Sequence, residues 1–292
     1  MAQQLFNRRC KLTIAPPIAG TFRTQPTQSA MVITDLRVKF KIIKTLKKEP
    51  NHSQIEVYNL NAVSRGQLQG KGARVWLEAG YDTQMAQAFV GDVRFIDHLK
   101  DHGTGSDWLT KMELGDGERA FVHGRVNKTF AAGTTKADVL KTVAKASGWD
   151  LGNITDFYAS LGQKNLNGFV AWGRANEVID KLLRSQGLTF SVQDGAIQIL
   201  PLRGYTAKAA VLIDENHGMI GSPEFGSAPT KKKRRMLKIK CLMDADKIRL
   251  RPGDRISLQS IVHQGVCSIQ KVELDGDTYG DNWFTELEVL PV

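Results

Sequence analysis

The 292-residue chain reads as mainly β with a small α+β middle domain, and the β parts read as two similar barrels in one chain. Three observations carry this. Short runs of alternating apolar and polar residues fill the first and last thirds, as expected of strands with one face on a core and one in water. Helical spacing appears only in the middle third. Twenty-seven glycines against nine prolines supply tight turns at near-even intervals.

In order, Met31 to Thr34, Leu36 to Ile43 and Gln54 to Leu60 alternate with period two, the last after a turn at Glu49-Pro50-Asn51. Ala62 to Gln69 is polar enough for a short surface helix before Gly70-Lys71-Gly72. Three more strands follow at Arg74 to Tyr81, Ala88 to Phe95 and Trp108 to Leu114. Thr134 to Gly148 places Val139, Leu140, Val143 and Ala144 on one helical face, with Thr134 or Thr135 as cap and Gly148 as stop. Ala175 to Arg184 is a second helix. Leu188 to Val192 and Ala196 to Leu200 flank Asp194-Gly195, a strong hairpin signal. The last strands are expected at Ala210 to Ile213, Met236 to Leu242, Arg255 to Leu258, Val266 to Leu274 and Trp283 to Leu290, with turns at Arg251 to Asp254 and Asp275 to Asp277. With a boundary in Pro201 to Ala209, this divides the chain into a first barrel domain over 1–124, an α+β domain over 125–205 and a second barrel domain over 206–292.

Self-similarity supports the pair of barrels. Asp107 to Leu114 (with Trp108, Thr110 and Glu113) matches Asn282 to Val289 (with Trp283, Thr285 and Glu288). Each tryptophan follows by about 17 residues a strand that starts at glycine, Gly91 or Gly265. Ile55 to Leu60 and Leu237 to Leu242 stand at the same place in the two halves, and so do Val75-Trp76-Leu77 and Ile256-Ser257-Leu258. Trp108 and Trp283 are therefore the repeat-defining residues, expected in barrel core or rim. Three chains of two barrels each would make a ring that is nearly six-fold at the barrels and three-fold elsewhere. Such a ring can join a six-fold tube to a three-fold needle.

The net charge of +10 admits nucleic acid, an anionic surface or an acidic protein as partner. Part of the excess lies in Lys39, Lys41, Lys44, Lys47 and Lys48, and part in Lys231, Lys232, Lys233, Arg234 and Arg235. Apart from Phe40, neither run holds an aromatic residue to stack a base, so both read as a solvated loop or a face for an acidic protein neighbour, and both are candidate contact regions.

Catalytic and cofactor signatures are missing: no His-Glu-x-x-His, Cys-x-x-Cys, Gly-x-Ser-x-Gly or phosphate-cradling glycine loop occurs. His98 and His102, with Asp97 and Asp101, fit a solvated hairpin loop better than a metal site. Asp275, Asp277 and Asp281, like Asp116 with Glu118, fit the turn role of aspartate. Cys10, Cys241 and Cys267 are isolated and read as free thiols of a chain folded in a reducing cytoplasm. No apolar run of about 18 residues marks a membrane span, and the first nine residues lack the apolar core of a secretory signal. The sequons at Asn51, Asn127 and Asn153 then carry no meaning. The expectation is no metal, no cofactor and no enzymatic activity.

In order along the chain, Glu56 to Leu60, Leu77 to Tyr81, Phe89 to Val93, Glu113 to Gly117, Thr129 to Thr135, Gly218 to Glu224, Leu250 to Asp254 and Asp275 to Trp283 resemble the baseplate hub family of phage tails. The hub fold of that family is shared with the N-terminal part of type VI secretion spike proteins. The resemblance implies two tube-protein-like β-barrels flanking a small middle domain, assembled as a homotrimer in the virion after folding in the bacterial host cytoplasm. It implies as neighbours a tail tube or distal tube protein, a central spike protein, baseplate wedge proteins and a tape-measure protein in the channel, with transient passage of DNA. A strongly basic wall would hold DNA back, so both basic runs are expected off the channel wall. Because the chain ends at Val292, directly after the second barrel, the spike is expected to be a separate chain. An alternative reading is a nucleic-acid-binding β-barrel protein, and a third is a cell-wall-degrading tail enzyme.

Overall fold

The structure, a computed structural model, describes residues 7–16, 30–68, 72–82, 84–100, 107–164, 167–202, 204–226 and 235–292. The first segment contributes β1 (Arg8–Ala15), β2 (Met31–Ile33), β3 (Val38–Thr45), β4 (His52–Tyr58), α1 (Ala62–Gln67), β5 (Arg74–Tyr81), β6 (Gln84–Lys100) and β7 (Trp108–Gly115). The middle holds α2 (Glu118–His123), β8 (Arg125–Phe130), α3 (Lys136–Ser147), β9 (Asp150–Leu151), α4 (Tyr158–Leu161), β10 (Phe169–Arg174), α5 (Ala175–Arg184), β11 (Leu188–Gln193) and β12 (Ala196–Pro201). The last holds β13 (Val211–Ile213), β14 (Met219–Phe225), β15 (Leu237–Leu242), α6 (Ala245–Ile248), β16 (Arg255–Gln259), β17 (Gln264–Asp277) and β18 (Trp283–Pro291).

The chain is mainly β, and the first and last segments use one strand order. In the first it is β3-β4-β7-β6-β5, and in the last β14-β15-β18-β17-β16. Both long strands carry a bulge at the same place: Val93 and Phe95 of β6 face Leu114 and Glu113 of β7, while Ile269 and Lys271 of β17 face Val289 and Glu288 of β18. An extra residue there bends the strand and strengthens its twist. The short helices are capped alike, by Asn61 accepting from the amide of Ser64 and by Asp244 accepting from that of Lys247. Two of the sequence matches hold in register: Trp108 lies opposite Lys100 as Trp283 lies opposite Gly276, and Val75 to Leu77 stands where Ile256 to Leu258 does. Two do not. Ser53, not Ile55, is the counterpart of Leu237, and Cys267, not Gly265, that of Gly91. Each match was off by two residues, a slip that leaves every side chain on its face and so leaves no trace in the apolar pattern.

A closed barrel is not found among the described residues. The two modules are stretches of a single thirteen-stranded sheet whose path runs from β14 to β2. The reason is the partner of β3. Instead of returning to β6 of its own module, β3 pairs antiparallel with the second half of β17, from Lys271 opposite Thr45 to Asp277 opposite Lys39. One core therefore serves both modules, running from Cys10 and Leu12 through Phe40 and Met112 to Trp283 and Val289.

The middle segment has its own core, from Ala120 through Val139, Leu140, Trp149, Ile179 and Phe190 to Ile199. Helix α3 starts where Thr135 caps the amide of Asp138 and stops at Gly148, which takes the left-handed conformation (φ 85°) that glycine adopts without cost. Helix α5 buries Val178, Ile179, Leu182 and Leu183 on one face. The pair β8 and β10 forms a separate two-stranded ribbon.

Candidate functional site

In a chain without catalytic signatures the candidate sites are the places where segments are joined and the surfaces left over for partners. The first is the seam between β3 and β17. Gly276 lies opposite Phe40, and a Cβ on it would fall 2.3 Å from the phenyl ring, so only glycine lets the ring cross the seam. Phe40 and Tyr81 both meet Trp283 edge-on, at 5.7 and 6.3 Å, and the Arg8 guanidinium lies 5.7 Å above it. The tryptophan of the last module is thus enclosed by the first. At the seam's end Arg37 holds Asp277 through both nitrogens of its fork at 2.7 and 3.0 Å. That pairing, working against burial, keeps the Asp277 carboxyl below its ordinary range.

The second is an ion cluster at the tip of the β11–β12 hairpin. Asp194 adopts φ 52° in the Asp-Gly turn, and its carboxylate lies 3.0 Å from Lys44 of β3 and 2.7 Å from Arg251 of the last segment. Lys44 is 2% exposed, and Asp194 also accepts from the amide of Val90 at 3.3 Å. Asp116, itself buried, accepts from the amides of Asp194 and Gly195 at 2.8 and 2.6 Å. One turn of the middle segment is thereby tied to both β modules. Burial alone would raise the Asp194 carboxyl, but Lys44 and Arg251 more than offset it and hold it ionised. Asp116, buried beside that charge, is pushed up to about 7.

Asp116 makes stability depend on pH in a definite direction. Its ordinary value is 3.8, so between there and about 7 the folded chain keeps a proton that the unfolded chain has released. Its contribution is therefore complete at low pH and lost as pH rises through neutrality. The thermal midpoint of Asp116→Asn is expected to change less between pH 5 and 8 than that of the unaltered chain, read by calorimetry across that range; parallel curves would contradict the assignment.

The basic residues named from sequence are dispersed by this geometry. Lys39 pairs with Glu56 at 3.8 Å, Lys41 with Glu273 at 2.6 Å, Lys44 with Asp194, and Lys48 with Asp180 of α5 at 2.5 Å. Lys39, Lys41 and Lys44 stand in a strand interior to the sheet, and Lys47 is exposed beyond its end. Arg235 is exposed just before β15, while Lys231, Lys232, Lys233 and Arg234 lie outside the described residues. The supposed loop at Asp97 is also different: β6 continues through Lys100, and His98 bonds the hydroxyl of Thr110 at 3.0 Å. Asp101 and His102 lie outside the described residues. Among the described residues no group of three or more His, Cys, Asp or Glu side chains could hold a metal, and no helix is long and apolar enough to cross a membrane. The three cysteines are free and buried, Cys10 and Cys241 pushed up to about 12 and Cys267 to about 11 by burial.

Trp172 escaped the sequence reading. It is 75% exposed on the β8–β10 ribbon, with Val170 beside it on the same face. Phe169 to Trp172 is a continuous apolar run with no period of two, and the polar run of its partner β8 hid the ribbon.

No family model and no curated protein matches the chain. Solved structures do. A 43 kDa tail protein of prophage MuSo2 from Shewanella oneidensis has a TM-score of 0.62 at 9% identity, over 96% of this chain and 96% of that one. A tail protein from Neisseria meningitidis MC58 has 0.58 at 12% identity, over 98% and 97%. A component of the E. coli type VI secretion system, itself similar in structure to the T4 bacteriophage tail proteins gp27 and gp5, has 0.53 at 10%, over 88% and 73%. Across nearly its whole length, the chain has the fold of these phage tail and secretion-system proteins, the hub-type fold that its sequence resembles.

Proposed function

We propose that the chain is a structural hub subunit of a phage tail or related contractile injection particle. Three copies form a ring that is pseudo-six-fold at its β modules and joins the six-fold tube to a three-fold central spike around a channel. On this reading residues 1–124 and 206–292 are two tube-protein-like barrel domains, completed only in the ring, and 125–205 is the domain inserted between them. The observation that carries it is the duplicated module, with strand order and bulge repeated and the two copies fused through β3 and β17. A chain built from two like units forms a ring of twice as many units as chains.

Its neighbours would be a tube or distal tube protein, the spike, wedge proteins and a tape-measure protein, with DNA passing through transiently and the virion baseplate as its location. No catalytic step is assigned, because the buried acids described above are consumed by Arg37, Lys44, Arg251 and backbone amides. Lys47, Arg235 and the run from Lys231 to Arg234 remain as contacts with acidic partners. Lys39, Lys41, Lys44 and Lys48 each pair within the chain and so do not form the free basic stripe that a nucleic-acid reading would need. Native mass spectrometry of the purified chain is expected to give three copies per particle, and class averages of the ring six similar lobes. A stable monomer with tight, steeply salt-dependent DNA binding would favour the nucleic-acid reading instead.

A further inference from the structure

The outer edge of β17 is used twice over. Opposite β18, its first half pairs with β16 as far as Ser268, and from Lys271 onward it pairs with β3. The equivalent edge of β6 begins in the same way, pairing with β5 as far as Asp92 and exchanging backbone bonds between Val93 and Gly72 and Ala73. From Phe95 to Lys100, however, no strand among the described residues pairs with it. The common bulge and the common tryptophan make Phe95 to Lys100 the counterpart of Lys271 to Gly276. The strand that would fill that edge is the counterpart of β3, namely β14, whose own outer edge is likewise unpaired among the described residues. Six strands of the sheet separate these two edges within one chain.

We propose that β14 of one copy pairs antiparallel with the Phe95–Lys100 edge of β6 in the next copy, head to tail, with Glu224 opposite Leu99 and Phe225 opposite His98. The register follows from the internal seam, where Asp275 faces Lys41 and Leu274 faces Ile42. It deepens the ring reading and rests on it.

The side chains along the two edges favour a second copy over another occupant. Phe95 and Leu99 of β6 are 51% and 41% exposed, and Phe225 of β14 is 52% exposed, an apolar content that exposed edges usually avoid. Trp108 stands half-buried where its counterpart Trp283 is enclosed by residues across the seam. Size is exchanged across the contact as well. The internal seam sets glycine (Gly276) against phenylalanine (Phe40), whereas the outer one would set Lys100 against the bulged Gly221-Ser222-Pro223 stretch between Ile220 and Glu224. A proline is admissible at such a bulge on an edge strand. A heterologous contact of this kind closes into a ring when its rotation allows.

Cysteine pairs in the full chain test the register. Directly opposed residues of antiparallel strands have Cα atoms about 4.5–5.5 Å apart, within disulfide reach. The doubly substituted chain Leu99→Cys with Glu224→Cys is expected to link into covalent rings under mild oxidation. A mixture of the two single variants should give linked pairs and nothing larger. The pair Leu99→Cys with Phe225→Cys, whose side chains leave on opposite faces, should stay unlinked, and the three native cysteines are buried and give no background. A ring in native mass that fails to link, or links equally well with the shifted pair, overturns the seam and leaves the ring reading standing. Linked rings of a size other than three support the seam and overturn the trimer. A monomer in native mass with no linking overturns both.

Discussion

Asp194→Ala is expected to lower the unfolding free energy by about 3–5 kcal/mol, the usual cost of removing one partner from a buried ion pair. The unaltered carboxylate sits between Lys44 at 3.0 Å and Arg251 at 2.7 Å. Without it Lys44 has no carboxylate partner within ion-pair distance among the described residues, and it stands where it is only 2% exposed. The amide of Val90 also loses its acceptor, and alanine at φ 52° takes on backbone strain that aspartate tolerates better. For a domain-sized protein whose whole stability is about 5–15 kcal/mol, such a loss is a large fraction.

The loss should also show as a change in cooperativity. The Asp194 turn is the point where the middle core meets both β modules, so loosening it should let the middle segment unfold at lower denaturant than the rest. Urea unfolding followed by two probes, one in each core, should therefore give coincident curves for the unaltered chain and separated ones for the variant. Replacing both members, Lys44→Met with Asp194→Asn, should recover much of the loss, because it removes the stranded charge and Arg251 is exposed enough to be hydrated. A cost below about 1 kcal/mol for Asp194→Ala, in the range of a surface pair, would mean that the cluster does not tie the segments together.

What could be read from the sequence, and what could not, follows from the range of the forces involved. Period two and period 3.6 are local properties, so the strands around Val57, Leu77 and Leu287 and the helix Ala175–Arg184 were legible, as was the Asp194-Gly195 turn. The same Asp194 also holds Lys44, 150 positions away, and no local pattern could announce that. Strand β14 was missed as a strand because Gly221 and Pro223 interrupt its alternation, and those residues make a bulge rather than an end. Strand β8 was missed because only Val126 and Phe130 are buried in it. The basic stretch from Lys39 to Lys48 looked like a solvated loop or a partner-facing patch because its acidic partners Glu56, Asp180, Asp194 and Glu273 are scattered over the chain. Closure of the modules was overread for a related reason. Alternation says which face of a strand is buried but not which strands flank it, and here β3 has a neighbour from the other module.

The two tryptophans of the repeat should part company when each is cut to alanine. Trp283→Ala removes a ring that is 3% exposed and enclosed by Phe40, Tyr81 and Arg8, so it should cost about 3–5 kcal/mol and weaken the seam between β3 and β17. Trp108 occupies the same register but lies half-buried, with the Arg65 guanidinium 4.1 Å above it and the Lys100 ammonium at 5.8 Å. In the isolated chain Trp108→Ala should cost only about 1 kcal/mol, the scale of an exposed cation–π contact and a partial burial. In an assembled ring the order should change. If β14 of the next copy covers Trp108 as β3 covers Trp283, then Trp108→Ala leaves the monomer folded yet shifts the association midpoint to higher protein concentration. Unfolding in denaturant measured below that midpoint, and mass distribution measured across it, separate the two effects. Equal losses for the two variants in the monomer would mean that the repeat is equivalent in energy as well as in strand order, and that the first module's edge is already complete without a neighbour.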